Sequence, residues 1–183
     1  LKDELGADTI AFPRYDDSIH AQLARDALHG RMGDMTDSAF AMATMFALDR
    51  HGAKALLDDY ANDPKRILIL DRYVASNAAY TAARTGDDAA LTWVAELEFE
   101  RLGLPKPDLQ VLVDTSPELA RERAEKREAQ DAARTRDRYE RDGGLQAATS
   151  AAYARLAENS WGGPWVRSSD PAVIIQAVQG LMA

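Results

Sequence analysis

Ile67-Leu68-Ile69-Leu70 constrains the fold of this chain more than any other stretch. Consecutive large aliphatics, with no polar residue turned outward, describe a strand covered on both faces. Such strands lie inside parallel sheets, whose crossover helices cover both sides. An acid and a base, Asp71 and Arg72, follow directly. Ligands of open α/β sheets sit outside the carboxyl ends of the strands, so the pair stands where chemistry is expected. The competing reading has Asp71 capping the next helix and Arg72 as a surface charge.

The neighbouring segments agree with a parallel sheet. Strands are expected near 7–12, 66–70, 109–113 and 164–168, separated by stretches long enough for helices. Leu1 to Gly6 has the form of a last helical turn with a glycine stop. A helix is expected from Asp16 or Asp17 to Leu28, and a long one from Asp37 to Tyr60. Phe40, Thr44 and Ala47, and Met45 and Leu48 with Phe46 alongside, recur on the long helix at helical spacing, and Gly52 inside it costs about 1 kcal/mol against Ala. A short helix follows from Ser76 to Ala83, and another from Asp87 or Asp88 to Leu102. In that helix Leu91, Val94, Ala95 and Glu98 fall on one side and Trp93 and Leu97 on another. Ser116-Pro117-Glu118 opens a charged helix to about Ala129. A helix from Asp137 to Asn159 is expected to be interrupted at Gly143-Gly144, and Asp170-Pro171 starts a terminal helix. No repeat, low-complexity tract or long linker divides the 183 residues, which suit one domain.

Composition excludes several chemistries. With no Cys there is no disulfide, thiolate nucleophile or Cys-ligated zinc. His20, His29 and His51 have no metal-site spacing. A net charge of −8 disfavours non-specific nucleic-acid binding, while a local basic pocket still suits a small anion. No apolar run approaches the roughly 18 residues of a membrane span, and a cytoplasmic location is expected.

Basic and aromatic residues collect around the strand ends. Phe12-Pro13-Arg14-Tyr15 leaves the first strand. Phe46 and Arg50 lie four apart on the long helix, where a flat ring and a guanidinium can address one group. A core Phe beside a surface ion pair is the competing reading. Ser76 and Tyr80 share a helical face beside Asn77, whose amide both donates and accepts. From Arg121 to Arg138 seven bases stand against five acids, and nearly all the bases are Arg, the usual partner of phosphoryl oxygens. An Arg-bearing lid over phosphates and a solvated helix face both account for this segment.

Five motifs in this order resemble the bacterial thymidylate kinases. They are Phe12-Pro13-Arg14-Tyr15, Phe46-Ala47-Leu48-Asp49-Arg50, Asp71 through Tyr80, Gly103 through Asp108, and Arg136-Asp137-Arg138-Tyr139-Glu140. The aliphatic run ending in Asp71 is similar to the second phosphate motif of P-loop proteins, where the carboxylate serves Mg²⁺ or its waters. The resemblance implies a P-loop NTPase-like three-layer parallel sheet flanked by helices, with four of five strands in this chain. It implies a single nucleoside monophosphate kinase domain over 1–183 with a lid at about 121–138. The implied reaction transfers the γ-phosphoryl of ATP to dTMP, with Mg²⁺, in a homodimer formed through the long helix. Phe46 would stack on thymine, Arg50 would bond its carbonyl, Asn77 would meet the base edge, and Tyr80 would crowd the 2′ position. Arg72, with Ser76 nearby, and Tyr15 would hold the dTMP phosphate, and Phe12 would wall that end. Arg123, Arg127, Arg134 and Arg136 would form the ATP lid, with Arg127 as its catalytic arginine, and Asp137 and Tyr139 at the lid's return.

One feature of that family is missing: no G-x-x-x-x-G-K-[ST] occurs in the sequence. The resemblance therefore implies roughly 20 residues of strand, phosphate loop and helix ahead of Leu1, contributing a middle strand. Truncation without kinase activity is the other reading. A kinase for another deoxynucleoside or its monophosphate, and a non-catalytic nucleotide-binding protein, are the competing functions.

Overall fold

The computed structural model describes residues 1–113, 139 and 142–182. Its elements run α1 (Lys2–Leu5), β1 (Asp8–Ala11), α2 (Ile19–Leu28), a 3-10 turn (Met35–Asp37), α3 (Ala39–His51), α4 (Lys54–Ala61), β2 (Leu68–Asp71) and α5 (Val74–Thr85). Then come α6 (Ala89–Ala95), a π-helical turn (Glu96–Arg101), β3 (Gln110–Leu112), α7 (Gly143–Glu158), β4 (Trp165–Arg167) and α8 (Pro171–Leu181). The segment expected to hold the charged helix and the lid lies outside the described residues.

Strand pairing is parallel throughout the described residues, as the alternation of strands and helices predicts. β1 pairs with β2 in the register Asp8↔Leu68 to Ala11↔Asp71, and β3 pairs with β4 in the register Gln110↔Trp165 to Leu112↔Arg167. The described strands form two two-stranded sheets. This corrects one expectation: Ile67 to Leu70 is half-buried, not sealed on both faces. Among the described residues β2 is paired along one edge only, by β1, so less of its surface is covered.

Local chemistry explains most element ends. Gly6 stops α1 at φ 59°, in the left-handed region that suits glycine. The Ser18, Ser38, Asp142 and Asp170 side chains each accept a backbone N–H at a helix start. The long helix expected from Asp37 to Tyr60 breaks in two at Gly52-Ala53, and Gly52 is its residue of lowest helix propensity. Gly143 and Gly144 open α7 and do not interrupt it, because Asp142 caps there. α5 begins at Val74, two residues before the expected start.

α5 is the axis of the core. Its Val74, Ala78, Ala79 and Ala82 are almost fully buried, and their small size lets α3, α6 and α7 approach closely. Phe12, Leu57, Tyr73, Val94, Leu104 and Leu156 complete this cluster. A second cluster joins α2 to α3 through Ala24, Ala27, Leu28 and Met42, with Phe46 and Tyr139 against it. The buried residues of α3 are Met42, Ala43, Ala47, Asp49 and Arg50. Phe40 is 41% exposed, packing edge-on against Trp93, and Thr44 is not buried.

Candidate active site

The carboxyl end of β2 delivers Asp71 and Arg72 together, and the chain turns sharply into α5 at Arg72. Arg72 takes φ 64°. A side-chain-bearing residue in that region costs about 1–3 kcal/mol, and such outliers gather at functional sites. Its guanidinium stands 5.8 Å from the Tyr80 ring centroid. Desolvation opposes its charge, but the Tyr80 and Tyr153 phenols and the Asp71 carboxylate outweigh it, holding Arg72 above its ordinary pKa. The Asp71 carboxylate is exposed and accepts no hydrogen bond from the described residues. It does not cap α5, whose start has no side-chain cap bond. Among the described residues no three His, Asp or Glu side chains gather as a metal cluster. A lone exposed carboxylate nevertheless suits Mg²⁺, which keeps several waters and takes one or two protein carboxylates beside phosphates.

Helical spacing on α5 aligns the next groups. Ser76 Oγ and Tyr153 Oη are 2.5 Å apart, tying α5 to α7. Burial raises the Tyr153 pKa, and the Ser76 hydrogen bond and the Arg72 and Arg50 charges pull the other way. The Tyr80 and Tyr139 rings stack with centroids 6.0 Å apart and planes 16° from parallel. Arg84 holds Tyr139 by a hydrogen bond to its hydroxyl and a guanidinium 4.9 Å above its ring, while also donating to the Thr36 and Ser38 carbonyls.

Arg50 and Asn77, distant in sequence, meet at one buried carboxylate. Arg50 donates to Glu98 from Nε at 2.6 Å and from Nη2 at 2.7 Å. Asn77 Nδ2 donates to Glu98 Oε1 at 2.8 Å and to the Ala43 carbonyl at 2.9 Å. The expected surface ion pair of Arg50 is thus a buried bidentate pair, with Glu98 0% and Arg50 3% exposed. Beside it, burial and the Glu98 charge drive the Tyr73 phenol pKa upward, while its hydroxyl donates to the Pro105 carbonyl.

On the β1 side, Phe12 is buried against Tyr73 and the Phe12-Pro13 bond is cis. Arg14 is not a solvent charge: its backbone N–H and Nε donate to the Asp49 carboxylate at 2.9 and 3.0 Å, and Nη2 donates to the Asp49 carbonyl. Tyr15 lies under the Arg25 guanidinium at 5.5 Å. Phe46 is half-buried beside Met42 and Tyr139.

The described residues thus bring Arg72, Ser76, Tyr80 and Tyr139 together at the β2 end, and Arg50 with Asn77 beside them. Arg123, Arg127, Arg134, Arg136 and Asp137 lie outside the described residues. Sequence reasoning passed over Tyr153, Arg84 and Glu98. Only Glu98 carried a signal: a carboxylate on the apolar side shared by Leu91, Val94 and Ala95.

Parallel strands alternating with helices, with a carboxylate and a guanidinium at one strand end, define an α/β protein whose strand end suits an anionic ligand. The thymidylate kinase family model matches residues 3–161, and the chain belongs to that family. It is 53% identical over 161 residues to the thymidylate kinases of Mycobacterium tuberculosis strains CDC 1551 and H37Rv, covering 86% of this chain and 75% of each relative.

Proposed function

We infer that this chain transfers the γ-phosphoryl group of ATP to a phosphate oxygen of dTMP, giving dTDP and ADP, in deoxynucleotide synthesis. The P–O bond between the β-bridging oxygen and the γ-phosphorus breaks as the dTMP oxygen bonds to that phosphorus. The acceptor phosphate is anionic at neutral pH, so no strong general base is needed. Catalysis then rests on positioning and charge stabilisation.

The observation that supports the site reading is the meeting of Arg72 and Tyr80 at the β2 end, with the guanidinium 5.8 Å from the ring centroid and Ser76 on the same helix. Arg72 holds the dTMP phosphate, with Ser76 and Tyr15 beside it and Phe12 behind. Arg50 and Asn77 meet the base edge, Phe46 stacks on the ring, and Tyr80, backed by Tyr139, crowds the 2′ position. Asp71 serves Mg²⁺, which neutralises charge on the transferring phosphates when bound. Arg123, Arg127, Arg134 and Arg136 belong to a lid over ATP, returning through Asp137, with Arg127 stabilising the transferring charge. A single nucleoside monophosphate kinase domain of parallel strands flanked by helices, pairing of two copies through α3 and a cytoplasmic location complete the reading.

A coupled assay with ATP against dTMP, dUMP, dCMP and thymidine tests it. We expect dTMP to be preferred. Preference for thymidine would move the protein to the nucleoside kinases, and no turnover of any of the four would favour a binding protein.

A further inference from the structure

We propose that Glu98 is the positioning residue that sets the polarity of the base-reading edge, so that the site accepts thymine and refuses cytosine. This rests on the reading that Arg50 and Asn77 face the base. What decides the polarity is which atoms those two side chains have left to offer.

Asn77 could in principle present either its amide oxygen or its amide nitrogen. Both groups that bond its Nδ2, the Glu98 carboxylate and the Ala43 carbonyl, can only accept. They use both Nδ2 hydrogens and forbid the flipped amide, which would set oxygen against oxygen. Asn77 is left with Oδ1, a pure acceptor. Arg50 spends Nε and one Nη2 hydrogen on Glu98, and its Nη1 hydrogens are left as pure donors. Among the described residues the only sealed side-chain polar atom lacking a partner is Thr149 Oγ1. Asn77 Oδ1 and Arg50 Nη1 are therefore not sealed off.

One donor beside one acceptor is the complement of a carbonyl beside a ring N–H, which thymine and uracil present. Cytosine presents an amine beside an unprotonated ring nitrogen, so donor would meet donor and acceptor would meet acceptor. A single carboxylate produces both halves of this pattern. Glu98 reaches its place on the π-helical turn Glu96–Arg101, where Leu102 N–H bonds the Leu97 carbonyl five residues back. Such turns recur at functional sites because the extra residue re-aims a side chain.

Glu98→Gln tests the assignment. A glutamine offers one accepting oxygen where Glu98 offers two. With that oxygen toward Arg50 Nε, its amide faces Asn77 and turns the Asn77 amide over. With that oxygen toward Asn77, its amide opposes Arg50 Nε and displaces the guanidinium. The dTMP-over-dCMP ratio of kcat/KM should fall by about tenfold or more, the weight of one hydrogen bond to a charged group. Asn77→Ala, measured in parallel, should lower the same ratio. If Asn77→Ala lowers it and Glu98→Gln does not, the role of Glu98 is overturned and the base reading stands. If Asn77→Ala leaves the ratio unchanged, both fall together. A purely structural Glu98 would lower stability or raise both KM values equally, leaving the ratio intact, which also overturns the proposal. Where Glu98→Gln does not fold, Glu98→Asp keeps the charge but is one methylene too short to reach Arg50 and Asn77 at once, and the same fall in ratio is expected.

Discussion

Removing the Arg14 side chain should destabilise this protein far more than removing an ordinary surface charge. Asp49 is 1% exposed and the Arg14 side chain 17%. Arg14→Ala deletes the Nε bond to the Asp49 carboxylate and the Nη2 bond to the Asp49 carbonyl, while the Arg14 backbone N–H remains as a donor. Breaking a buried ion pair costs about 3–5 kcal/mol, chiefly because a charge is left buried without its partner. The surviving N–H bond and the partial exposure of Arg14 reduce this, and we expect a loss of about 2–4 kcal/mol. For a chain of this length each kcal/mol lowers Tm by about 2–4 °C, so the variant should melt roughly 4–16 °C early. Urea titration followed by tryptophan fluorescence, on Arg14→Ala, Asp49→Ala and the double variant, gives the coupling directly. Arg14→Lys should not restore it, because one ammonium cannot reproduce the paired geometry of Nε and Nη2. A loss below about 0.5 kcal/mol, or no coupling, would place the pair with exposed surface bridges and refute the argument that it pins the β1 exit to α3.

The remaining predictions concern phosphate binding, the lid and alkaline stability. Arg72→Ala should lower kcat/KM for dTMP by roughly 10- to 150-fold, raising KM and lowering kcat together, because it removes a charge-assisted contact of about 1.5–3 kcal/mol. Steady-state kinetics check it, and unchanged KM would detach Arg72 from the phosphate. Arg127→Ala should reduce turnover while calorimetric dTMP affinity stays close to wild type, and wild-type turnover would remove Arg127 from its role. The Tyr73 and Tyr153 phenols are driven above their ordinary pKa by burial first. The folded state thus keeps protons that the unfolded state releases, and stability should fall as pH rises above about 10. Tyr73→Phe and Tyr153→Phe should flatten that slope in urea titrations between neutral and alkaline pH, and an unchanged slope would contradict the burial argument.

Much of the fold was legible because it rests on local patterns. The aliphatic run before Asp71, the glycine stop at Gly6 and the helix start at Asp170 needed only neighbouring residues. The split of α3 from α4 was signalled by Gly52, although the propensity cost alone does not say whether a helix breaks or merely weakens. The extent of burial of β2 was not legible, since coverage depends on which strands pair, and that is a tertiary property. The site divides the same way. Arg72, Ser76, Asn77 and Tyr80 follow from helical spacing after a strand end. Glu98 lies 48 residues from Arg50 and 21 from Asn77, and no periodicity connects them. Its place also depends on a π-helical turn, which shifts every later side chain against the helical pattern. The Arg14–Asp49 pair was not legible, because Asp49 belongs to a helix 35 residues away.

A crystal structure of the protein with dTMP tests the central claim most directly. The account predicts the dTMP phosphate within hydrogen-bond distance of Arg72, the base carbonyl on Arg50 Nη1, and the ring N–H on Asn77 Oδ1, with Glu98 still bonded to both side chains. A nucleotide bound elsewhere, or in the same cleft with Arg72 and Asn77 unengaged, would contradict it.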